Sequence, residues 1–260
     1  MANRELKERY RLRAKLGVYK KRLAEARGLI ERAAQIAVPH VAFSGGKDSL
    51  ALLHLARGVI PGIKAAFIDS GAESPDTHAV IGEMRRRGYA IETVYPQLSV
   101  IDMFKMVGEL GYSGPDKLPG DWHWTVAKYQ EVLINEPSRR YCDEHDSPVV
   151  LLGLRKQENR VRRIALSKHG PIHQLQNGYW HVNPLYHWDV EDVFAYCLEN
   201  DLPLSELYCD SRIDSTERHR RRTGNTLCER GLEEFSRYKF THPAFFKQMI
   251  ELFPDLDRHG

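Results

Sequence analysis

The chain has 260 residues, 42% of them hydrophobic and 28% charged, the composition of a folded globular protein long enough to bury one large core. Its formal net charge is only +3, but residues 1–32 hold eleven Lys/Arg against four Asp/Glu, and Arg218-His219-Arg220-Arg221-Arg222 forms a second basic cluster. No apolar run of about 18 residues predicts a membrane span, four scattered cysteines exclude a disulfide framework, and MANRELKERYRLRAKLG lacks the apolar segment of a secretory signal, so a cytoplasmic protein is expected.

Residues 4–37 read as a basic helix, with Leu16, Tyr19, Leu23, Ala26, Ile30 and Ala33 forming one apolar stripe. Strand and helix signals then alternate. His40–Phe43 reads as a strand. Lys47–Arg57 reads as a helix stopped by Gly58 and Pro61, and Ile63–Asp69 as a buried strand. Ser74-Pro75-Asp76 opens a helix that ends at Gly88, with serine as cap and proline in the first turn. Ala90–Tyr95 predicts a strand and Val100–Gly111 a helix capped by Ser99. A turn-rich loop over 112–123 leads to a predicted helix at Trp124–Asn135. Pro148–Leu154 predicts a strand and Lys156–His169 a basic helix. Asn177-Gly178 signals a hairpin within His173–Leu185. Asp189 caps a helix to about Glu199, and a last helix is expected near His242–Phe253. Apolar strands alternating with helices predict an α/β fold, a doubly wound, mostly parallel sheet. Three regions are expected: a basic helical segment at 1–37, a nucleotide-binding α/β domain at 38–200, and a basic helical extension at 201–260.

In such a sheet, ligands sit beyond the carboxyl ends of the strands. Ser44-Gly45-Gly46-Lys47-Asp48-Ser49 occupies that position after the first strand. The two glycines permit close backbone approach, the helix start offers unpaired N–H groups, and Lys47 adds a full charge, which together make an anion site. The spacing matches neither the Walker A loop nor the dinucleotide fingerprint. Asp48 would repel phosphate unless a Mg²⁺ stood between them.

This loop resembles the PP-loop of the N-type ATP pyrophosphatases. Over about residues 38–210 the chain resembles the phosphoadenosine phosphosulfate (PAPS) reductase family. FIDSGAESPDT (Phe67–Thr77) is similar to that family's Asp-Thr-Gly stretch, with Ser70 in place of threonine. GLRKQENRVRR (Gly153–Arg163) is similar to its G-x-R-x-x-E-x-x-x-R stretch, through Gly153, Arg155, Glu158 and Arg162. NPLYHWDVEDVFAYCLENDLPLSELY (Asn183–Tyr208) resembles its P-L-x-x-W-x-x-x-D-V-W-x-Y segment, with Phe194 for the second tryptophan.

The resemblance implies that Ser44, Gly45, Gly46, Lys47, Asp48 and Ser49 hold the phosphates of ATP, or of PAPS. Phe43, Phe67 and Ile68 would line the adenine, beside Gly153. Arg155 would reach phosphate or sulfate, or else pair with Glu158. Asp48 and Asp69 would hold Mg²⁺, or Asp69 would simply cap the next turn. The reductases carry their nucleophile in a Glu-Cys-Gly-[Ile/Leu]-His motif, which has no counterpart in these 260 residues. The expected chemistry is therefore adenylylation of an acceptor with loss of pyrophosphate, serving sulfur transfer. A nucleic acid, in DNA phosphorothioation or tRNA thiolation, suits the basic segments, and a cysteine desulfurase suits the sulfur supply. The alternatives are a sulfonucleotide reductase with a non-standard cysteine and a silent nucleotide-binding subunit. A homodimer is also open.

Cys142 follows Arg139 and Arg140, and arginine neighbours favour thiolate. It reads either as a sulfur relay or as an inert core thiol. Cys197 reads as core. Cys142, Cys209 and Cys228, with His145 as an alternative ligand, could together assemble an iron–sulfur cluster or a further metal site. Trp122 and Trp124 around His123 either stack a base or pin their loop. Arg218–Arg222 either contacts phosphates or forms a solvated loop.

Overall fold

The computed structural model describes residues 2–107, 130–158, 160–208, 229–254 and 256. Two helices open it: α1 (Ala2–Lys15) and α2 (Gly17–Ile36). The sequence suggests one helix here. The break falls at Leu16, which is extended at φ −71°, ψ 141° and precedes a glycine. The turn lets Arg13 and Arg22 converge on the same two carboxylates. Arg13 Nη2 lies 2.5 Å from Asp189 Oδ2 and its Nε 2.7 Å from Asp192 Oδ1, while Arg22 Nη1 lies 2.8 and 2.6 Å from the same pair. Two of the basic residues that suggested a polyanionic partner thus hold the chain together.

The sheet has six strands among the described residues, in the order β3-β2-β1-β4-β6-β5. β1 (Pro39–Ala42), β2 (Lys64–Ile68), β3 (Ile91–Val94), β4 (Val149–Leu151) and β6 (Trp180–Val182) run parallel, and β5 (Ile172–Gln174) pairs antiparallel with β6. The hairpin signal at Asn177-Gly178 is met. Gly178 takes φ 92°, and the Leu175 N–H bonds the Tyr179 carbonyl at 2.8 Å. The sheet is mostly parallel and α/β, as the alternation of apolar runs and helical stretches requires.

Helices cover both faces. α3 (Lys47–Val59) runs through Gly58, the expected stop, and ends when the Ile60 N–H bonds Ala56 O at 2.7 Å. α4 (Pro75–Arg86) begins as expected, Ser74 Oγ accepting from the Thr77 N–H at 3.2 Å. α5 (Val100–Val107) is capped by Ser99, whose Oγ accepts from the Asp102 N–H at 3.0 Å. A π-turn at Glu131–Asn135 leads into α6 (Glu136–Glu144), a helix that its polar sequence does not announce. α7 (Arg160–His169) starts four residues later than expected, because Lys156 N–H bonds Tyr186 O and Glu158 N–H bonds Arg155 O. α8 (Val190–Glu199) carries a full capping box between Asp189 and Asp192.

The main core joins the sheet to α1, α2, α3 and α8. Its largest fully buried side chains include Trp188, Tyr19, Ile30 and Leu52. The Trp188 indole donates to Arg22 O at 3.2 Å, so the buried ring keeps its polar atom satisfied. A second cluster holds α9 (Glu229–Thr241) and α10 (Pro243–Leu252) through Phe235, Tyr238, Met249 and Phe253, against Val100, Met103 and Leu133. Arg237 pairs with the buried Asp76 at the start of α4. The C-terminal helices are thereby tied to the elements that follow β2. No helix among the described residues is long and apolar enough to cross a membrane.

Candidate functional site

β1 is the pivot. It pairs with β2 on one side and β4 on the other, so the chain direction of the winding reverses there. This is the switch point where an open α/β sheet leaves a crevice. The loops after β1, β2 and β4 meet above it. Gly45 takes φ 70°, and a Cβ added there would lie 3.0 Å from Thr77 Cγ2. Gly153 follows β4, and a Cβ there would lie 3.1 Å from the main chain of Asp48 and Ser49. Both glycines let three chain segments pack closer than side chains would allow.

The β1–α3 loop ties itself together. Ser49 Oγ accepts from the Ser44 N–H at 3.2 Å and donates to Gly46 O at 3.0 Å, with Ser44 Oγ 3.1 Å away. The Ser49 hydroxyl, expected to face a ligand, thus also braces the loop. Gly46 is the extended cap of α3, whose first N–H groups and dipole are directed at the crevice.

Lys47 is buried at 4% exposure, its Nζ 3.1 Å from Asp48 Oδ2 and 5.3 Å from the centroid of the Tyr208 ring. Arg155, buried at 3%, donates its Nε to the other oxygen, Asp48 Oδ1. Asp48 therefore bridges two cations. Burial pushes its carboxyl up, but Lys47 and Arg155 overcome that and hold it below the usual carboxylate range. Arg155 does not pair with Glu158; Glu158 binds Arg162 instead. Asp69 Oδ1 accepts from the Gly71 N–H at 2.9 Å, the turn-capping role, and its Oδ2 lies 3.8 Å from His78 Nε2. Among the described residues no three His, Cys, Asp or Glu side chains converge on a metal position. With both Asp48 oxygens facing cations, this donor set does not fit a Mg²⁺ held by the protein alone.

These loops enclose a cavity of about 510 Å³, within the usual span for small-molecule clefts of roughly 300–1,000 Å³. Of the residues expected at the site, Phe43, Ser44, Gly46, Lys47, Asp48, Ser49, Phe67, Ile68 and Gly153 line it. Gly45, Asp69 and Arg155 are not among its lining residues. Its apolar part comes from the strand ends, Leu152, and Leu133 and Ile134 of the π-turn. Five polar wall residues, Ser70, Glu73, Glu158, Arg162 and Tyr208, were not expected as ligand contacts. All fall inside the quoted motif stretches, which was the available signal. Glu73 is the notable one: burial raises its carboxyl to about 7, against a hydrogen bond from Ser70 that lowers it and the nearby Asp69 charge that raises it.

Cys142 lies elsewhere. It sits on α6, 3% exposed, outside the cavity lining. The expected low-pKa thiol is corrected here: burial, with Asp143, pushes Cys142 up to about 11. Its arginine neighbours turn away, Arg139 to Glu131 and Arg140 to Glu136 and Tyr95 O. Cys197 is core, as expected, and burial raises its thiol further. His145 pairs with Glu92 at 2.9 Å. Cys209, Cys228, Trp122, His123, Trp124 and Arg218–Arg222 lie outside the described residues.

The family model described as the phosphoadenosine phosphosulfate reductase domain matches residues 38–215. An uncharacterised protein of Methanocaldococcus jannaschii is 29% identical over 173 residues, 65% of this chain and 33% of that one. A phosphoadenosine 5'-phosphosulfate reductase of Vibrio cholerae is 26% identical over 177 residues, 68% of this chain and 65% of that one. The chain thus spans less than two thirds of the length of either relative. The crystal structure of a PAPS reductase from Candida auris shares the fold, with a TM-score of 0.52 and 23% identity over 70% of this chain and 83% of that one.

Proposed function

The chain belongs to the phosphoadenosine phosphosulfate reductase domain family, and on that premise we propose that it binds ATP at Ser44–Ser49 and transfers AMP to an acceptor, releasing pyrophosphate. The observation that carries this reading is the pairing of an apolar cleft with a buried cation at one helix start. The strand ends at Phe43, Phe67 and Ile68 offer a base an apolar wall. The α3 N-terminus and Lys47 offer the polyphosphate N–H groups and charge. Lys47 is held by Asp48 until phosphate competes for it. Arg155 keeps Asp48 in place and so positions Lys47. Catalysis here is mostly alignment and neutralisation of the departing pyrophosphate.

The acceptor in this reading is a nucleic acid, modified for sulfur transfer as in DNA phosphorothioation or tRNA thiolation, with a desulfurase as sulfur donor. The support is the basic N-terminal segment and Arg218–Arg222. A second reading, sulfonucleotide reduction, is favoured by the likeness to the Vibrio cholerae enzyme. The buried, high-pKa thiols of Cys142 and Cys197 weigh against it.

One assay separates the two. Protein is incubated with ATP and magnesium salt, alone and with tRNA or DNA at low salt, and pyrophosphate is measured. Release is expected, stimulated by nucleic acid, and Lys47→Ala is expected to slow it by about 10²-fold or more. Sulfite from PAPS with reduced thioredoxin, and no pyrophosphate from ATP, would establish the reductase reading instead.

A further inference from the structure

A carboxyl group in a polyphosphate cradle repels what the cradle attracts unless cations offset it, as Lys47 and Arg155 do for Asp48. Glu73 nevertheless lines the same cavity as Ser44, Gly46 and Lys47. Its loop is built to hold it there. Ser70 Oγ donates to Glu73 Oε1 at 2.7 Å, and Ser70 O accepts from the Val100 N–H at 2.7 Å. Gly71, at φ 95°, packs so close that a Cβ would lie 3.0 Å from Ser99 Cβ. Ser74 then caps α4. The carboxyl is thus held by Ser70, on a loop fastened to α5 at Ser70 and to α4 at Ser74, the arrangement that keeps a functional group in one place.

Resting on the ATP-activation reading, we infer that Glu73 is the general base of the reaction, taking the proton of the acceptor as it attacks the α-phosphorus. The step balances as follows. The acceptor X–H forms an X–P bond, the bond from α-phosphorus to the bridging oxygen breaks, and pyrophosphate leaves with the electron pair. The proton passes to the Glu73 carboxylate. Water in place of X–H gives AMP and pyrophosphate. This narrows the acceptor to a group that gives up a proton on attack; an anionic phosphate oxygen has none to give.

The electrostatics suit the role. Burial raises the carboxyl to about 7, where a base is both available at neutral pH and strong enough to accept. Asp69 on the same loop raises it. Lys47 and Asp48 from α3, and Glu158 and Arg162 after β4, share the cavity.

The test uses the full chain with ATP, magnesium salt and water as acceptor, across pH 5.5–9. The wild-type rate is expected to rise with pH around a midpoint near 7. Glu73→Gln should lower kcat by roughly 10²–10³-fold, abolish that rise, and leave ATP affinity within about twofold. Glu73→Asp should restore part of the rate. Retained ATP binding by Glu73→Gln certifies its fold. An active wild type with an equally active Glu73→Gln overturns the base and leaves the activation reading standing. A defect confined to KM overturns it too, making Glu73 a nucleotide contact. A wild type that binds ATP but releases no pyrophosphate overturns both.

Discussion

At the scale of single residues, Cys142 is buried on α6 and its thiol is pushed up to about 11. It is expected to resist iodoacetamide at pH 8 in the native protein and to react once urea is added. Mass spectrometry of the labelled peptides reads this out, and rapid labelling of the folded chain would restore the relay idea. The sequence points the other way here because two adjacent arginines suggest a thiolate only if they face the sulfur, and Glu131, Glu136 and the Tyr95 carbonyl draw them off. Ser44–Ser49 is legible because a strand that turns into a helix around a ligand needs glycines, hydroxyls and a cation in one short run. Asp48 is puzzling in that run because its partner Arg155 lies 107 positions away. Glu73 is not legible, since burial, which tunes it, leaves no mark on the sequence.

Among the elements, the strands were legible because parallel strands covered on both faces are plain apolar runs. Capping chemistry fixed the starts of α4 and α8 equally well. What was not legible depends on tertiary partners. The break between α1 and α2 follows from the Asp189–Asp192 pair far down the chain. α6 has too few apolar residues to betray itself, yet Tyr141 and Cys142 are buried. The order of strands, which creates the crevice, has no local signature at all. One close contact between elements can be tested. At Gly153 a methyl group would meet the main chain of Asp48 and Ser49 at 3.1 Å, atoms that cannot yield without moving the start of α3. Gly153→Ala is expected to cost about 1–3 kcal/mol in urea unfolding and to weaken ATP binding by roughly tenfold. Unchanged affinity would mean that the α3 start is not the phosphate site.

For the molecule as a whole, imidazoles shielded from solvent weaken the fold in acid, His40 and His181 most strongly. His40 is 2% exposed, its Nδ1 2.9 Å from Ser147 Oγ, and burial lowers it to about 4 from 6.5. His181, less deeply buried, is lowered to about 4 for the same cause. Between those values the unfolded chain binds protons that the folded one refuses. Stability is therefore full above about pH 6.5 and declines as pH falls toward 4, His40 contributing about 3 kcal/mol of that loss. Glu73 runs the other way, because its raised carboxyl favours the folded state as pH drops from about 7 to 4.5. Urea unfolding at pH 7.5 and 5.0 should show a smaller acid loss for His40→Gln than for the wild type. Parallel losses would remove His40 from the account.

The pivot strand carries one more implication. β1 is hydrogen-bonded along both edges, and the loop that leaves it is laced by its own serines. Little of the chain has to be arranged when a nucleotide arrives, so the entropic toll of ordering a flexible clamp is absent. Capture should then look like docking onto a mould: a single fast association phase in stopped flow, with the Ser44 amide, bonded to Ser49 Oγ, already protected in the empty protein and the open amides at the start of α3 gaining protection only when nucleotide binds.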